Sequence, residues 1–163
     1  MTGGSNGAMM TLVYATQRAE RLAAIAPVVG AMFSFEMQPS RPLPIMLING
    51  AQDNEVPIEG GFSRNPLVSR AQSAPYMPLE DTVEFWVEAN LSQTPPVITT
   101  AGNVTTSVYG PTPDGAVTIS VVDRIGGHGW PGTSQVRGTS NPIRSFDGAE
   151  RVWEFFKTQS RVP

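Results

Sequence analysis

Residues 2–10, Thr2-Gly3-Gly4-Ser5-Asn6-Gly7-Ala8-Met9-Met10, carry a G-x-S-x-G pattern from Gly3 to Gly7 that opens directly onto an apolar helical pattern. This combination reads as a strained strand-to-helix turn that holds a serine Oγ clear of a sheet, with flanking glycines leaving room for close backbone approach. The competing reading of a short Gly/Ser segment is a flexible N-terminal tail. Only Met1 and Thr2 precede the motif, so a strand feeding the turn is not visible in the sequence. The rest of the chain has to decide between the two.

Downstream of the motif, residues 6–19 place Met9, Met10, Leu12, Val13 and Ala15 on a broad helical face. The run LAAIAPVV, 22–29, has the continuous apolar character of a buried parallel strand; otherwise it is the tail of the preceding helix. Residues 31–42 form a connection. PIMLING, 44–50, is the clearest strand, and the polar segment 51–61 follows at its carboxyl end, the edge from which open α/β sheets draw their active sites. Residues 62–78 read as irregular. Residues 79–90 read as an amphipathic helix, with Leu79, Val83, Trp86 and Val87 at helical spacing and Glu80 and Asp81 in its first turn. Two strands, 104–109 and 117–122, are joined through the turn GPTPDG. A Gly-rich loop, 123–145, holds His128 and Trp130. A C-terminal helix over 147–159 buries Val152, Trp153, Phe155 and Phe156. The pattern predicts an α/β fold in a single domain spanning 1–163.

Composition narrows the functional classes. The chain has 163 residues, 40% of them hydrophobic, enough for a core in one domain. A net charge of -3, with 11 scattered basic residues, argues against a nucleic-acid partner. The absence of cysteine removes disulfides, thiolate metal sites and cysteine nucleophiles, and one histidine is too few for a typical zinc site. No metal or cofactor is therefore expected. No apolar run reaches the ~18 residues of a membrane span, so the expectation is a soluble protein without a membrane partner. Localisation stays open, because an upstream segment carrying a signal would not appear here.

Three residues carry the candidate chemistry in the order Ser5, Asp53, His128. Serine is a weak nucleophile at neutral pH and needs a base; imidazole supplies one, and a carboxylate fixes its tautomer and steadies its charge. The order Ser…Asp…His is that of α/β-hydrolases rather than of other serine hydrolases. Asp53 follows the strand at 44–49 and His128 the strand at 117–122, and Ser5 stands where a strand should end. Plainer readings stand beside each: His128 as a surface or structural histidine, and Asp53 in competition with Asp123 (a turn residue), Asp147 (a helix N-cap), Glu55 and Glu59. Because the base must be neutral imidazole, activity is expected to fall as pH drops through about 6.5.

GGSNGAMM, NGAQDNEVP after a strand, and GGHGWPG before an aromatic C-terminal helix together resemble the polyhydroxybutyrate depolymerase/feruloyl esterase-type hydrolases. The resemblance runs from Thr2 to Phe156. It implies an α/β-hydrolase with Ser5 as nucleophile, Asp53 as triad acid, His128 as base and a small-molecule ester as substrate. Asn49 stands where the family has the histidine of its H-G pair, which is not a triad member. Trp130 is the best candidate to touch substrate; Phe33, Phe35, Tyr76 and Trp86 offer a possible aromatic wall that ordinary core packing also explains.

Family members carry a longer segment upstream of the turn, so the resemblance implies a truncated fold: the C-terminal half of the mostly parallel sheet flanked by helices. The Asn6 backbone N–H would then be the remaining oxyanion-hole donor, and loss of one donor typically costs about 10²–10³ in kcat. The 22–29 strand is expected as an open apolar edge that invites homo-oligomerisation. The alternative is a non-catalytic hydrolase-like fragment, or a module binding an acyl or aryl ligand, with an incomplete oxyanion hole.

Overall fold

The computed structural model describes residues 1–34, 37–133 and 142–160. Among these, one sheet contains β1 (Thr2–Gly4), β2 (Ala26–Val28), β3 (Ile45–Gly50), β4 (Val97–Ala101), β5 (Val104–Tyr109) and β6 (Thr118–Asp123). Their order across the sheet is β1-β2-β3-β6-β5-β4. The first four of that order run parallel, and β5 and β4 add an antiparallel hairpin at the far edge. The helices are α1 (Asn6–Arg18), α2 (Pro66–Ala71), α3 (Leu79–Ala89) and α4 (Gly148–Phe156). The architecture is α/β: a mostly parallel mixed sheet flanked by helices, consistent with a hydrolase-like domain.

Strand β3 shows why the sheet has two covered faces. All six of its residues are buried. Ile45 and Leu47 point to one side, where they pack with Leu12 and Ala15 of α1 and Val83 and Trp86 of α3. Met46 and Ile48 point to the other, against Val121 of β6 and Val152 and Phe155 of α4. Successive side chains alternate across a strand, so helices on both sides turn an alternating pattern into a continuous apolar one.

Several expectations need correction. The strand expected over 22–29 is only Ala26–Val28, preceded by a 3₁₀ turn at Ala19–Arg21. It is not an open edge, because β1 pairs with it in parallel register, Thr2 opposite Ala26 and Gly4 opposite Val28. The outermost strand on that side is β1. Helix α1 buries Ala8, Thr11, Leu12, Ala15 and Thr16, whereas Met10 is 61% exposed. Small residues win this seam because they allow close packing; the Ala8 Cβ abuts the position a side chain on Gly30 would take. On α4, Val152 and Phe155 are buried, Phe156 is half-buried, and Trp153 is exposed. Trp153 sits about 100° round the helix from Val152, off the sheet-facing stripe. The segment 62–78 contains the short helix α2, capped by the Asn65 side chain accepting from the Leu67 N–H.

Among the described residues no helix is long and apolar enough to cross a membrane.

Candidate active site

Ser5 stands between β1 and α1 with φ 55° and ψ -121°, a conformation that a residue with a side chain rarely adopts. Holding it costs on the order of 1–3 kcal/mol, and the surrounding bonds are what enforce it. Its N–H donates to Val28 O at 3.0 Å, and its carbonyl accepts from the Ala8 and Met9 N–H groups at 2.8 and 3.1 Å. A Cβ on Gly3 would come within 2.6 Å of the Gly7 backbone, so the first glycine of the motif is required by the close approach of α1. A Cβ on Gly7 would meet nothing within 4 Å. The expectation that both glycines serve this approach therefore holds for Gly3 only.

Although Ser5 occupies the N-cap position of α1, its side chain makes no capping bond. The Oγ instead lies 2.9 Å from His128 Nε2. His128 Nδ1 lies 2.8 Å from Asp53 Oδ2. An ionised carboxylate only accepts, so the proton between them belongs to Nδ1; Nε2 is then the acceptor of the Ser5 O–H. Both members of the inner pair are buried: Asp53 is 1% and His128 7% exposed.

The turn after β3 aims the carboxylate. Asp53 Oδ1 accepts from the Glu55 and Val56 N–H groups at 2.8 and 2.9 Å, which leaves Oδ2 for the imidazole. The turn after β6 is built the same way, with Asp123 Oδ1 accepting from Ile125 and Gly126. The two turns are joined directly: Ala51 N–H donates to Asp123 O and Gln52 N–H to Gly126 O, both at 2.8 Å. Any Cβ on Gly50 would collide with the Gly126 carbonyl, so a glycine there brings the two loops together.

The rival carboxylates have other work. Asp123 shapes the turn before His128, and its Oδ2 is buried without a hydrogen bond among the described residues. Asp147 caps α4 by accepting from Ala149 and Glu150. Glu59 pairs with Arg64 at 3.0 Å on the surface. Glu55 is half-buried and accepts from Asn65 Nδ2. Asn49, buried at the end of β3, donates to Gly30 O at 3.2 Å. Among the described residues, no group of three or more His, Asp or Glu side chains gathers as metal ligands do.

A cavity of about 250 Å³ opens at Ser5 and His128, walled by Gly4, Val29, Gly129, Trp130 and Thr133. Trp130 therefore stands at the serine, with its ring 3.7 Å from where a Gly4 Cβ would be. The other aromatic candidates stand elsewhere. Trp86 is fully buried in the core against α1. Phe33 and Tyr76 pack together at 5.7 Å, apart from that cavity wall; Phe35 lies outside the described residues. Burial, and then the negative charges of Asp53 and Glu55, raise the Tyr76 phenol above its ordinary range.

Val29 is the residue that reading the sequence missed. It takes φ 47°, an outlier for a β-branched side chain, and it lines the cavity beside Ser5. In sequence it is simply the end of an apolar run. The Asn6 N–H, first of α1, has no acceptor among the described hydrogen bonds and sits at the positive end of the helix dipole.

No family model matches the sequence. The chain is 28% identical over 142 residues to the protein named "Putative esterase NocK" from Nocardia uniformis subsp. tsuyamanensis. That match covers 80% of this chain and 41% of the relative, so the chain spans less than half of the relative's length. The similarity supports an esterase-like relationship in general terms.

Proposed function

We propose that the chain is a serine carboxylic-ester hydrolase acting through Ser5, His128 and Asp53. The observation that carries this reading is the unbroken hydrogen-bond chain from Ser5 Oγ through the imidazole to a buried carboxylate. In the proposed reaction Ser5 Oγ attacks the ester carbonyl as its proton passes to His128 Nε2. The Asp53 carboxylate holds the Nδ1–H tautomer and offsets the imidazolium charge. The tetrahedral oxyanion takes the Asn6 N–H at the α1 N-terminus, where charge develops beside a fixed dipole. His128 then returns the proton to the departing alcohol, leaving an acyl group on Ser5. Water, deprotonated by the same imidazole, releases the acid.

The cavity supports short acyl or aryl esters as the substrate class. Its volume of about 250 Å³ is modest for a ligand site, and Trp130 and Val29 give it apolar walls beside the reacting oxygen. Membership of the polyhydroxybutyrate depolymerase/feruloyl esterase type is the finer form of this proposal, carried by the GGSNGAMM, NGAQDNEVP and GGHGWPG segments.

An active-site phosphonate probe tests the assignment. The expected result is a single covalent adduct mapping to the peptide that holds Ser5, blocked by prior heating. An unlabelled folded protein, or an adduct on another serine, contradicts it. Labelling without ester turnover would mark the chain as a hydrolase-like binding module.

A further inference from the structure

A larger hollow, about 900 Å³, lies away from Ser5, between α3 and the side of β5 and β6 that faces it. Helix α3 forms its wall with two parallel rows. One is Leu79, Val83 and Val87; beside it run Glu80, Glu84 and Glu88. Both repeat every four residues, about 6 Å along the axis. The three glutamates are exposed and form no ion pair among the described residues. No basic side chain lines the hollow; the remaining carboxylate, Glu59, is paired with Arg64. Like charges at i and i+4 repel and weaken a helix, so beyond Glu80, which sits favourably in the first turn of α3, this row adds nothing to the helix.

A separate feature of the floor points to an occupant. Ser120 of β6 is only 9% exposed and lines the hollow, and its hydroxyl makes no hydrogen bond among the described residues. Its strand neighbour on the same face, Thr118, is bonded to Asn90, Ser92 and Trp86. The Ser120 hydroxyl is not sealed in, and the hollow that Ser120 lines gives a partner group access to it.

We propose that this hollow is a docking groove for a basic amphipathic helix of a partner protein. An apolar row would lie on the half-buried Leu79 and Val87, over the core-packed Val83 between them, and a Lys/Arg row of the same helical period would face Glu80, Glu84 and Glu88. A polar group of the partner would meet Ser120. The volume suits roughly two turns of a helix about 10 Å across. Helix-in-groove recognition reads anchors at this spacing, and the acidic rim supplies charge complementarity and repels acidic partners. The groove contains none of Ser5, Asp53 and His128, so this proposal stands independently of the ester-hydrolase reading.

The test uses the full chain and a fluorescein-labelled synthetic helix with adjacent Leu and Lys rows at four-residue spacing, read by fluorescence anisotropy. Saturable binding is expected, weakened by salt. The triple variant Glu80→Gln, Glu84→Gln, Glu88→Gln should bind at least about tenfold more weakly, from the loss of three rim pairs. The variant should remain folded, with its phosphonate labelling unchanged. Ser107→Trp, which fills the floor opposite Ser120, should also weaken binding. The proposal is overturned by absence of saturable binding, by equal binding of a Lys→Glu control peptide, or by an unaffected triple variant. It is equally overturned if Ser107→Trp binds as well as the wild type, since the charges would then act outside the groove.

Discussion

His128 Nε2 and Ser5 Oγ meet at 2.9 Å although 123 positions separate them in the chain. Adjacent loops at the carboxyl ends of parallel strands make this meeting possible, and the Gln52 N–H to Gly126 O bond ties the acid loop to the histidine loop. The geometry gives Asp53→Asn a specific outcome. The Asn oxygen keeps accepting from Glu55 and Val56, so the turn survives. Its amide nitrogen then faces Nδ1 and favours the tautomer with the proton on Nε2. We expect folding to be retained and kcat to fall on the order of 10⁴, measured on short p-nitrophenyl esters alongside circular dichroism. Near-normal turnover in a folded Asp53→Asn protein would contradict the role given to Asp53.

The two glycines of the motif should behave oppositely. Gly3→Ala drives a Cβ into the Gly7 backbone at 2.6 Å, where no side chain is available to move aside. A destabilisation of about 1–3 kcal/mol, with loss of activity, is expected. Gly7→Ala places its methyl in open space within α1 and should be neutral or stabilising by roughly 0.5–1 kcal/mol. Denaturant midpoints of the two variants check this. Equal effects would mean the turn is not held by the Gly3–Gly7 approach.

The proposed reaction through a neutral imidazole sets the direction of the pH profile. Protonated His128 cannot accept the Ser5 proton, so turnover should fall on the acid side of the profile. Stopped-time hydrolysis between about pH 5 and 8 measures it. A flat profile over that interval would rule out His128 as the base.

Tyr76 predicts a pH effect on stability at the other end of the scale. Burial, followed by the charges of Asp53 and Glu55, favours the neutral phenol in the folded protein, so its folded pKa lies above the unfolded value. The stability it contributes is complete below about pH 10 and is lost as pH rises through the folded pKa. Tyr76→Phe cannot ionise, so its urea midpoint should decline less between about pH 8 and 11 than that of the wild type. Parallel declines would contradict this contribution.

Legibility of the fold followed burial. β3 was plain because both its faces are covered, and α3 because Leu79, Val83 and Trp86 keep helical spacing on a buried stripe. β1 was not, since Thr2-Gly3-Gly4 has little strand propensity and takes its form from pairing with Ala26–Val28. β4 was missed for the opposite reason: all of Val97–Ala101 is exposed, so no alternation marks it. Asn65-Pro66 carried a readable N-cap and N1 signal for α2 that the density of prolines obscured. At the site, the side chains brought together are Ser5, Asp53 and His128, with Trp130 beside them. What no residue type announces is backbone geometry: the strained φ of Ser5 and Val29, and the N–H groups of Glu55 and Val56 that aim Asp53.

The central claim is that Ser5 Oγ is the nucleophile, and hydrolysis of a short p-nitrophenyl ester by Ser5→Ala tests it most directly. The account predicts a folded variant whose release of p-nitrophenol falls by on the order of 10³-fold or more below that of the unmodified chain, down to what the oxyanion donor and binding alone sustain. Turnover by Ser5→Ala equal to that of the unmodified chain would contradict it.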